Sequence, residues 1–98
     1  MKVWKFPIGF RPGELQKIVV PFGAEAIHWG VNPGGPMTFA VWCMVDENEP
    51  RRTEHEIMVL GTGWDLPPGL RHRATVPIGR EIWHIFIKPS LNPFGGGY

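Results

Sequence analysis

The sequence predicts a small all-β protein, an antiparallel barrel or sandwich of about six to seven short strands. Its 98 residues include 13 glycines and 11 prolines, a composition that favours frequent tight turns. Short apolar runs rich in β-branched and aromatic residues alternate with these turns. No amphipathic window is long enough to predict a helix.

The first two predicted strands are each bounded by proline. Residues 3–8 form a strand that is ended by Pro7 and by the turn at residues 11–13. Residues 15–20 form the next strand. Pro21 stops it, because a proline has no N–H to continue a central ladder.

The third predicted strand, residues 24–31, shows the alternation of a half-buried strand. Ile27, Trp29 and Val31 are expected to share one face, because side chains two positions apart point to the same side. A proline- and glycine-rich turn then leads into the fourth strand.

The fourth predicted strand, residues 38–46, is apolar on both faces. Phe39 and Cys43 belong to one face, and Trp42 and Met44 to the other. Burial on both faces is typical of a strand inside a barrel or against a partner subunit. The strand therefore predicts the core of the protein and a homo-oligomer.

Three further strands complete the fold. They are predicted at residues 53–60, 70–76 and 81–88, and the first of them has the fourth strand as its simplest hairpin partner. Residues 1–90 are expected to form a single domain, and residues 91–98 an extended C-terminal tail.

Charge and cysteine content restrict the partners and the compartment. A formal charge of +1 excludes a strongly basic binder of long nucleic acids. Cys43 is a single cysteine, so no intramolecular disulfide can form, which is compatible with a reducing compartment. No apolar run reaches the length of a membrane span. The expectation is a soluble, intracellular protein with no membrane partner.

The sequence gives no catalytic or metal-binding pattern. Ser90 is the only serine and has no glycine elbow around it. The histidines, His28, His55, His72 and His84, lie on four different predicted strands without ligand spacing. The prediction is a protein that is not an enzyme and needs no metal or cofactor, although a fold could still bring such groups together.

The best candidate for a binding site is the loop at residues 61–69. It carries Trp64 among glycines and prolines, and an exposed indole is a platform on which a flat ring can stack. Thr62 and the backbone N–H groups around it can contact an anion without a helix. Asp65 can accept a hydrogen bond from a base edge or a ribose hydroxyl.

Basic residues follow this loop directly. On a strand, Arg71 and Arg73 point to the same side, where two guanidinium groups near an indole suit a phosphate and a stacked base. The alternative is that they are surface cations paired with Glu54 or Glu56, which we expect on the solvated face of an edge strand. Arg80, near a glycine turn, is a second candidate for the ligand site.

Five short segments stand out along the chain, at residues 4–7, 20–24, 40–46, 61–63 and, loosely, 78–86. Together, and in this order, they resemble a family of small tailed-phage proteins. This chain differs from the family in its longer loop with Trp64 and in its tail at residues 92–98.

The resemblance implies a phage origin, a small all-β fold and action in the host cytoplasm. It implies no catalytic residue. Small phage proteins of this build include counter-defence sponges, which sequester nucleotide immune signals without cleaving them. The leading hypothesis is therefore an oligomeric binder of a cyclic oligonucleotide or an ADP-ribose-type ligand. The alternatives are a module that blocks a host defence enzyme and a small virion or assembly component.

Overall fold

Seven β-strands make up the computed structural model, which describes residues 1–34 and 38–89 and contains no helix within these ranges. Every predicted strand is present, and its ends lie within two residues of the predicted positions. The predicted tail at residues 91–98 lies outside the described residues. The strands are β1 Lys2–Ile8, β2 Gln16–Pro21, β3 Glu25–Val31, β4 Phe39–Val45, β5 Arg52–Gly61, β6 Arg71–Ile78 and β7 Glu81–Ile87.

The strands form two antiparallel sheets that face each other as a sandwich. One sheet has the order β1-β4-β3 and the other has the order β2-β5-β7-β6. The sheets approach each other along two seams, between β3 and β6 and between β1 and β2. The all-β prediction is confirmed, as a sandwich and not as a closed barrel.

The predicted hairpin between β4 and β5 was wrong. β4 pairs with β1 and β3, whereas β5 pairs with β2 and β7 in the opposite sheet. β5 is therefore a central strand, and Glu54 and Glu56 lie on the surface of a central strand, not of an edge strand. The polar connection between β4 and β5 carries the chain from one sheet to the other.

Three prolines lie inside strands, and each of these strands is at the edge of a sheet. Pro7 belongs to β1, Pro21 to β2 and Pro77 to β6. An edge strand tolerates proline because half of its N–H groups point away from the sheet. For this reason β1 continues past Pro7 to Ile8, and β6 continues through Pro77.

The inner faces of both sheets form one apolar core. Phe39, Val41, Cys43 and Val45 of β4 are fully buried there. Burial raises the pKa of the Cys43 thiol to about 12, so this thiol stays protonated. On the opposite face of β4, Trp42 and Met44 are only partly buried.

A β-bulge in β3 changes the faces that simple alternation predicts. The register with β4 shifts between Ala26 and His28, which leaves Ile27 as the extra residue. Trp29 is buried in the core, whereas Ile27 and Val31 are exposed. The sequence predicted one common face for these three side chains; the bulge breaks that alternation at Ile27, whereas Trp29 and Val31 remain two positions apart, opposite Val41 and Phe39.

The crossover between β5 and β6 positions the candidate site. Both strands run antiparallel to β7, which lies between them, so β5 and β6 are parallel to each other. The connection, residues 62–70, therefore crosses β7. It begins beside the first residues of β7 and ends beside the last, because Gly61 pairs with Trp83 and Arg71 pairs with Ile87.

Candidate functional site

A tight turn at the start of the crossover fixes the position of Trp64. The backbone N–H of Trp64 donates to the carbonyl oxygen of Gly61 at 3.2 Å, and Gly63 takes a positive φ of 88°. The indole lies over the backbone of Gly61, where a Cβ atom would come within 2.8 Å of its Nε1. The glycine at position 61 is therefore required by the placement of the ring.

Aromatic rings connect this exposed indole to the core. Trp64 meets Trp83 edge to face, with ring centroids 5.7 Å apart at 84°. Trp83 meets Phe10 in the same way, at 5.0 Å and 89°, and Phe10 packs on Phe39 at 6.2 Å. Edge-to-face contacts are favourable for aromatic rings. They hold Trp64 in place while 49% of its surface stays exposed.

A groove of about 470 Å³ lies between Trp64 and the β6–β7 hairpin, and we call it the Arg80 groove. This volume is within the range of about 300–1,000 Å³ that is usual for small-molecule sites. Arg80 and Glu81 carry its charges, and Trp64, Trp83 and Ile82 supply apolar surface. Its described lining consists of Gly61, Thr62, Trp64, Arg80, Glu81, Ile82 and Trp83.

A chain of hydrogen bonds fixes the Thr62 side chain at the edge of this groove. The Thr62 hydroxyl donates to the carbonyl oxygen of Ile82 at 3.3 Å and accepts from Nε2 of His84 at 2.8 Å. In the neutral form of His84, Nδ1 then accepts from the Thr75 hydroxyl at 3.0 Å. Thr75 in turn accepts from Nε2 of His72 at 2.9 Å.

A second, smaller groove of about 220 Å³ adjoins the first, and we call it the Leu66 groove. It lies on the outer face of β7, under the crossover. Its polar ring is His84, and both nitrogens of this ring contact threonine hydroxyls. Its described lining consists of Leu60, Gly61, Thr62, Gly63, Trp64, Leu66, His84 and Phe86.

The structure brings together three of the residues that the sequence singled out. Thr62, Trp64 and Arg80 all line the Arg80 groove. Asp65 is exposed in the same loop, directly after Trp64. The loop and the hairpin turn, which are distant in sequence, thus meet at one end of β7.

Arg71 and Arg73 lie at the other end of β7, away from Trp64. Arg71 pairs with Ile87, and a bulge between His72 and Ala74 makes Arg73 the extra residue of β6. The Arg73 guanidinium lies 5.9 Å from the ring centroid of Trp29, at the seam with β3. The expectation that both arginines share one face beside Trp64 was wrong, because the crossover spans the length of β7 and the bulge breaks the alternation.

The carboxylates considered as partners for these arginines lie near lysines. Glu54 is 3.6 Å from Lys17, and Glu56 is 3.7 Å from Lys88. These ion pairs are largely exposed, so each contributes little to stability.

Sequence reasoning missed the contribution of β7. The alternation of Ile82, His84 and Phe86 placed these side chains on one face, which was the available signal. The sequence does not show that this face of β7 contacts the Trp64 loop, because that contact depends on the path of the crossover over β7. Ile82 lines the Arg80 groove, and His84 and Phe86 line the Leu66 groove.

Within residues 1–34 and 38–89, no group of three or more histidine, cysteine, aspartate or glutamate side chains is placed to hold a metal ion. The rings of His72 and His84 have centroids 6.2 Å apart, and the Thr75 hydroxyl lies between them. The described part of the chain also has no helix of the length and apolarity that a membrane span requires.

Comparison with known proteins gives one match. A family model described as "Domain of unknown function (DUF7352)" matches residues 1–93. No curated protein and no solved structure matches the chain. The family match covers nearly the whole sequence, both sheets of the sandwich and both grooves. The chain belongs to the DUF7352 family.

Proposed function

We propose that this protein binds a small phosphorylated nucleotide in the Arg80 groove. The base stacks on the exposed surface of Trp64, and a phosphate pairs with the Arg80 guanidinium. The observation that carries the proposal is the presence of an anchored, half-exposed indole and a guanidinium in the lining of one groove. Aromatic stacking and charge-assisted hydrogen bonds are the usual means of binding such ligands.

The neighbouring groups limit the charge of the ligand. Glu81 lies beside Arg80 in the groove lining and repels additional negative charge. The same carboxylate accepts hydrogen bonds from ribose hydroxyls. We therefore expect a ligand with one phosphate per base near Arg80, rather than a triphosphate.

Contact energies indicate how tightly such a site can bind a nucleotide. Stacking of one base contributes about 1–3 kcal/mol, and a charge-assisted hydrogen bond contributes about 1.5–3 kcal/mol. Association costs at least about 4 kcal/mol. A single base and a single phosphate therefore give weak binding, and tight binding requires further contacts.

We propose sequestration as the role of this binding. The resemblance to tailed-phage proteins implies a counter-defence function in the host cytoplasm, in which a nucleotide immune signal is held without being cleaved. A homo-oligomer belongs to this proposal, and the partly exposed Trp42 and Met44 on the outer face of β4 supply apolar surface for it.

A thermal-shift screen tests the proposal. The purified protein is heated with mononucleotides, cyclic di- and trinucleotides and ADP-ribose derivatives, and the ligand is then recovered and analysed by chromatography. We expect a shift of several degrees with one class of ligand, which is released intact. Recovery of an altered ligand would contradict sequestration.

Variants locate the site. Trp64→Ala and Arg80→Ala are expected to weaken binding at least tenfold with little change in melting temperature. Trp64→Phe should keep part of the stacking, and Arg71→Ala is the matched arginine control at the other end of β7. Equal losses in Arg80→Ala and Arg71→Ala would show that the Arg80 groove is not the site.

The second candidate function is a module that docks on a host protein. The exposed Val3 and its cross-strand neighbour Met44 favour it, because they extend the apolar surface around Trp42 on the outer face of the smaller sheet. If no nucleotide shifts the melting temperature, this function becomes the better proposal.

A further inference from the structure

The two grooves are adjacent and share a wall. Gly61, Thr62 and Trp64 line both of them. A ligand that stacks on Trp64 in the Arg80 groove is therefore next to the Leu66 groove, without an intervening element of the fold. The shared segment is also held firmly, by the Gly61–Trp64 turn and by the hydrogen bonds of Thr62.

The Leu66 groove has a different chemistry from the Arg80 groove. Leu60, Leu66 and Phe86 are apolar, and no charged side chain belongs to its described lining. His84 adds an aromatic ring whose two nitrogens are engaged by Thr62 and Thr75. The imidazole therefore offers the groove a ring surface rather than a free donor or acceptor.

Size and polarity together define the occupant. A volume of about 220 Å³ is below the range of about 300–1,000 Å³ that is usual for a whole ligand, and suits one heteroaromatic ring system. An uncharged, flat group is favoured by apolar and aromatic walls. A phosphate is disfavoured in this groove, because burying a charge beside Leu60 and Phe86 without a partner is costly.

We propose that the Leu66 groove is a second base subsite and that the ligand is a dinucleotide. This inference rests on the proposed function of the Arg80 groove. One base stacks on Trp64, the linking phosphate lies by Arg80, and the second base enters the Leu66 groove. The second base supplies the contacts that a mononucleotide lacks.

Isothermal titration calorimetry with AMP and with the linear dinucleotide pApA tests the subsite. We expect the unmodified protein to bind pApA at least tenfold more tightly than AMP. Leu66→Ala removes an exposed wall of the Leu66 groove and should abolish most of this difference, while the affinity for AMP stays within twofold. Ile27→Ala, at an exposed isoleucine on β3, is the matched control.

Each outcome separates the inference from the proposed function. Equal affinities for AMP and pApA in the unmodified protein, or equal losses for both ligands in Leu66→Ala, would overturn the second subsite and leave the Arg80 groove intact. If Arg80→Ala loses affinity for both AMP and pApA, this supports the proposal that both ligands place a phosphate by Arg80. Absence of binding by both nucleotides in the unmodified protein would overturn the proposed function and the subsite with it.

Discussion

Burial determines the protonation of His55, a polar side chain within the core. His55 lies on β5 opposite Ile18 of β2, and only 2% of its surface is exposed. Burial lowers its pKa to about 4, because the charged imidazolium is poorly solvated there. His55 therefore stays neutral in the folded protein at pH values where an unfolded chain would be protonated.

Folding stability should depend on pH through this residue. The pKa of His55 is about 4 in the folded protein and about 6.5 in an unfolded chain. Below pH 6.5 the unfolded state binds a proton that the folded state does not, so stability falls as the pH falls from 6.5 towards 4. We expect a loss of about 2 kcal/mol between pH 7 and pH 5.

Urea unfolding at pH 7, 6 and 5 measures this loss. His55→Leu should be less sensitive to pH in this range, whereas His28→Asn, at an exposed histidine, should behave like the unmodified protein. An unmodified protein of constant stability from pH 7 to pH 5 would refute the role of His55, as would an unchanged pH dependence in His55→Leu.

At the residue scale, the sequence indicates the exposure of Trp64 but not the positions of Arg71 and Arg73. An indole among glycines and prolines has little local structure in which to be buried, and it is indeed exposed. The positions of Arg71 and Arg73 depend on a bulge and on the path of the crossover. Neither feature has a local signal in the sequence. For this reason the sequence favours Arg71 and Arg73 over Arg80 as the phosphate-binding partners of Trp64.

At the scale of the elements, the strands were predictable and their pairing was not. Apolar runs bounded by proline and glycine located all seven strands to within two residues. Pro77 lies beyond the end of the predicted sixth strand, residues 70–76, but the structure places it within β6, an edge strand. Whether a strand is at an edge depends on sheet order, which local sequence patterns do not specify.

The turn between β5 and the crossover should not tolerate a side chain at position 61. In Gly61→Ala the new Cβ would lie 2.8 Å from Nε1 of Trp64 and 2.9 Å from its Cε2. The indole must therefore move and lose its contact with Trp83. We expect a fold that is retained, a shift in tryptophan fluorescence, and nucleotide affinity reduced about as much as in Trp64→Ala.

Fluorescence spectra and calorimetric titration of Gly61→Ala measure both effects. Gly34→Ala is the control, since among the described residues the nearest side-chain atom to a Cβ at position 34 is 3.9 Å away. Unchanged nucleotide affinity in Gly61→Ala would mean that the position of the indole does not matter for binding.

At the scale of the whole molecule, the sandwich brings separate segments to one end of β7. The crossover supplies Trp64, and the β6–β7 hairpin supplies Arg80. The β1–β2 connection packs against this end of the larger sheet. Phe10 contacts Trp83, and the N–H of Gly13 donates to the carbonyl oxygen of Val59 at 2.8 Å. These long-range contacts are the part of the site that strand prediction alone does not reveal.

The same architecture separates the two grooves from Arg73, which the sequence had also suggested as a ligand-binding residue. The grooves lie at and beside one end of β7, in the larger sheet. Arg73 and Trp29 lie at the seam between the sheets, near the other end of β6. A probe that reports on individual tryptophans can therefore distinguish them.

The most direct test is a nucleotide titration followed by NMR of the tryptophan indole N–H groups. The chain has five tryptophans, and Trp64→Phe assigns the signal of Trp64. On addition of pApA we predict the largest changes at Trp64 and Trp83, with the signals of Trp4, Trp29 and Trp42 nearly unchanged. Changes centred on Trp29, or the absence of any change at Trp64, would contradict the proposed site.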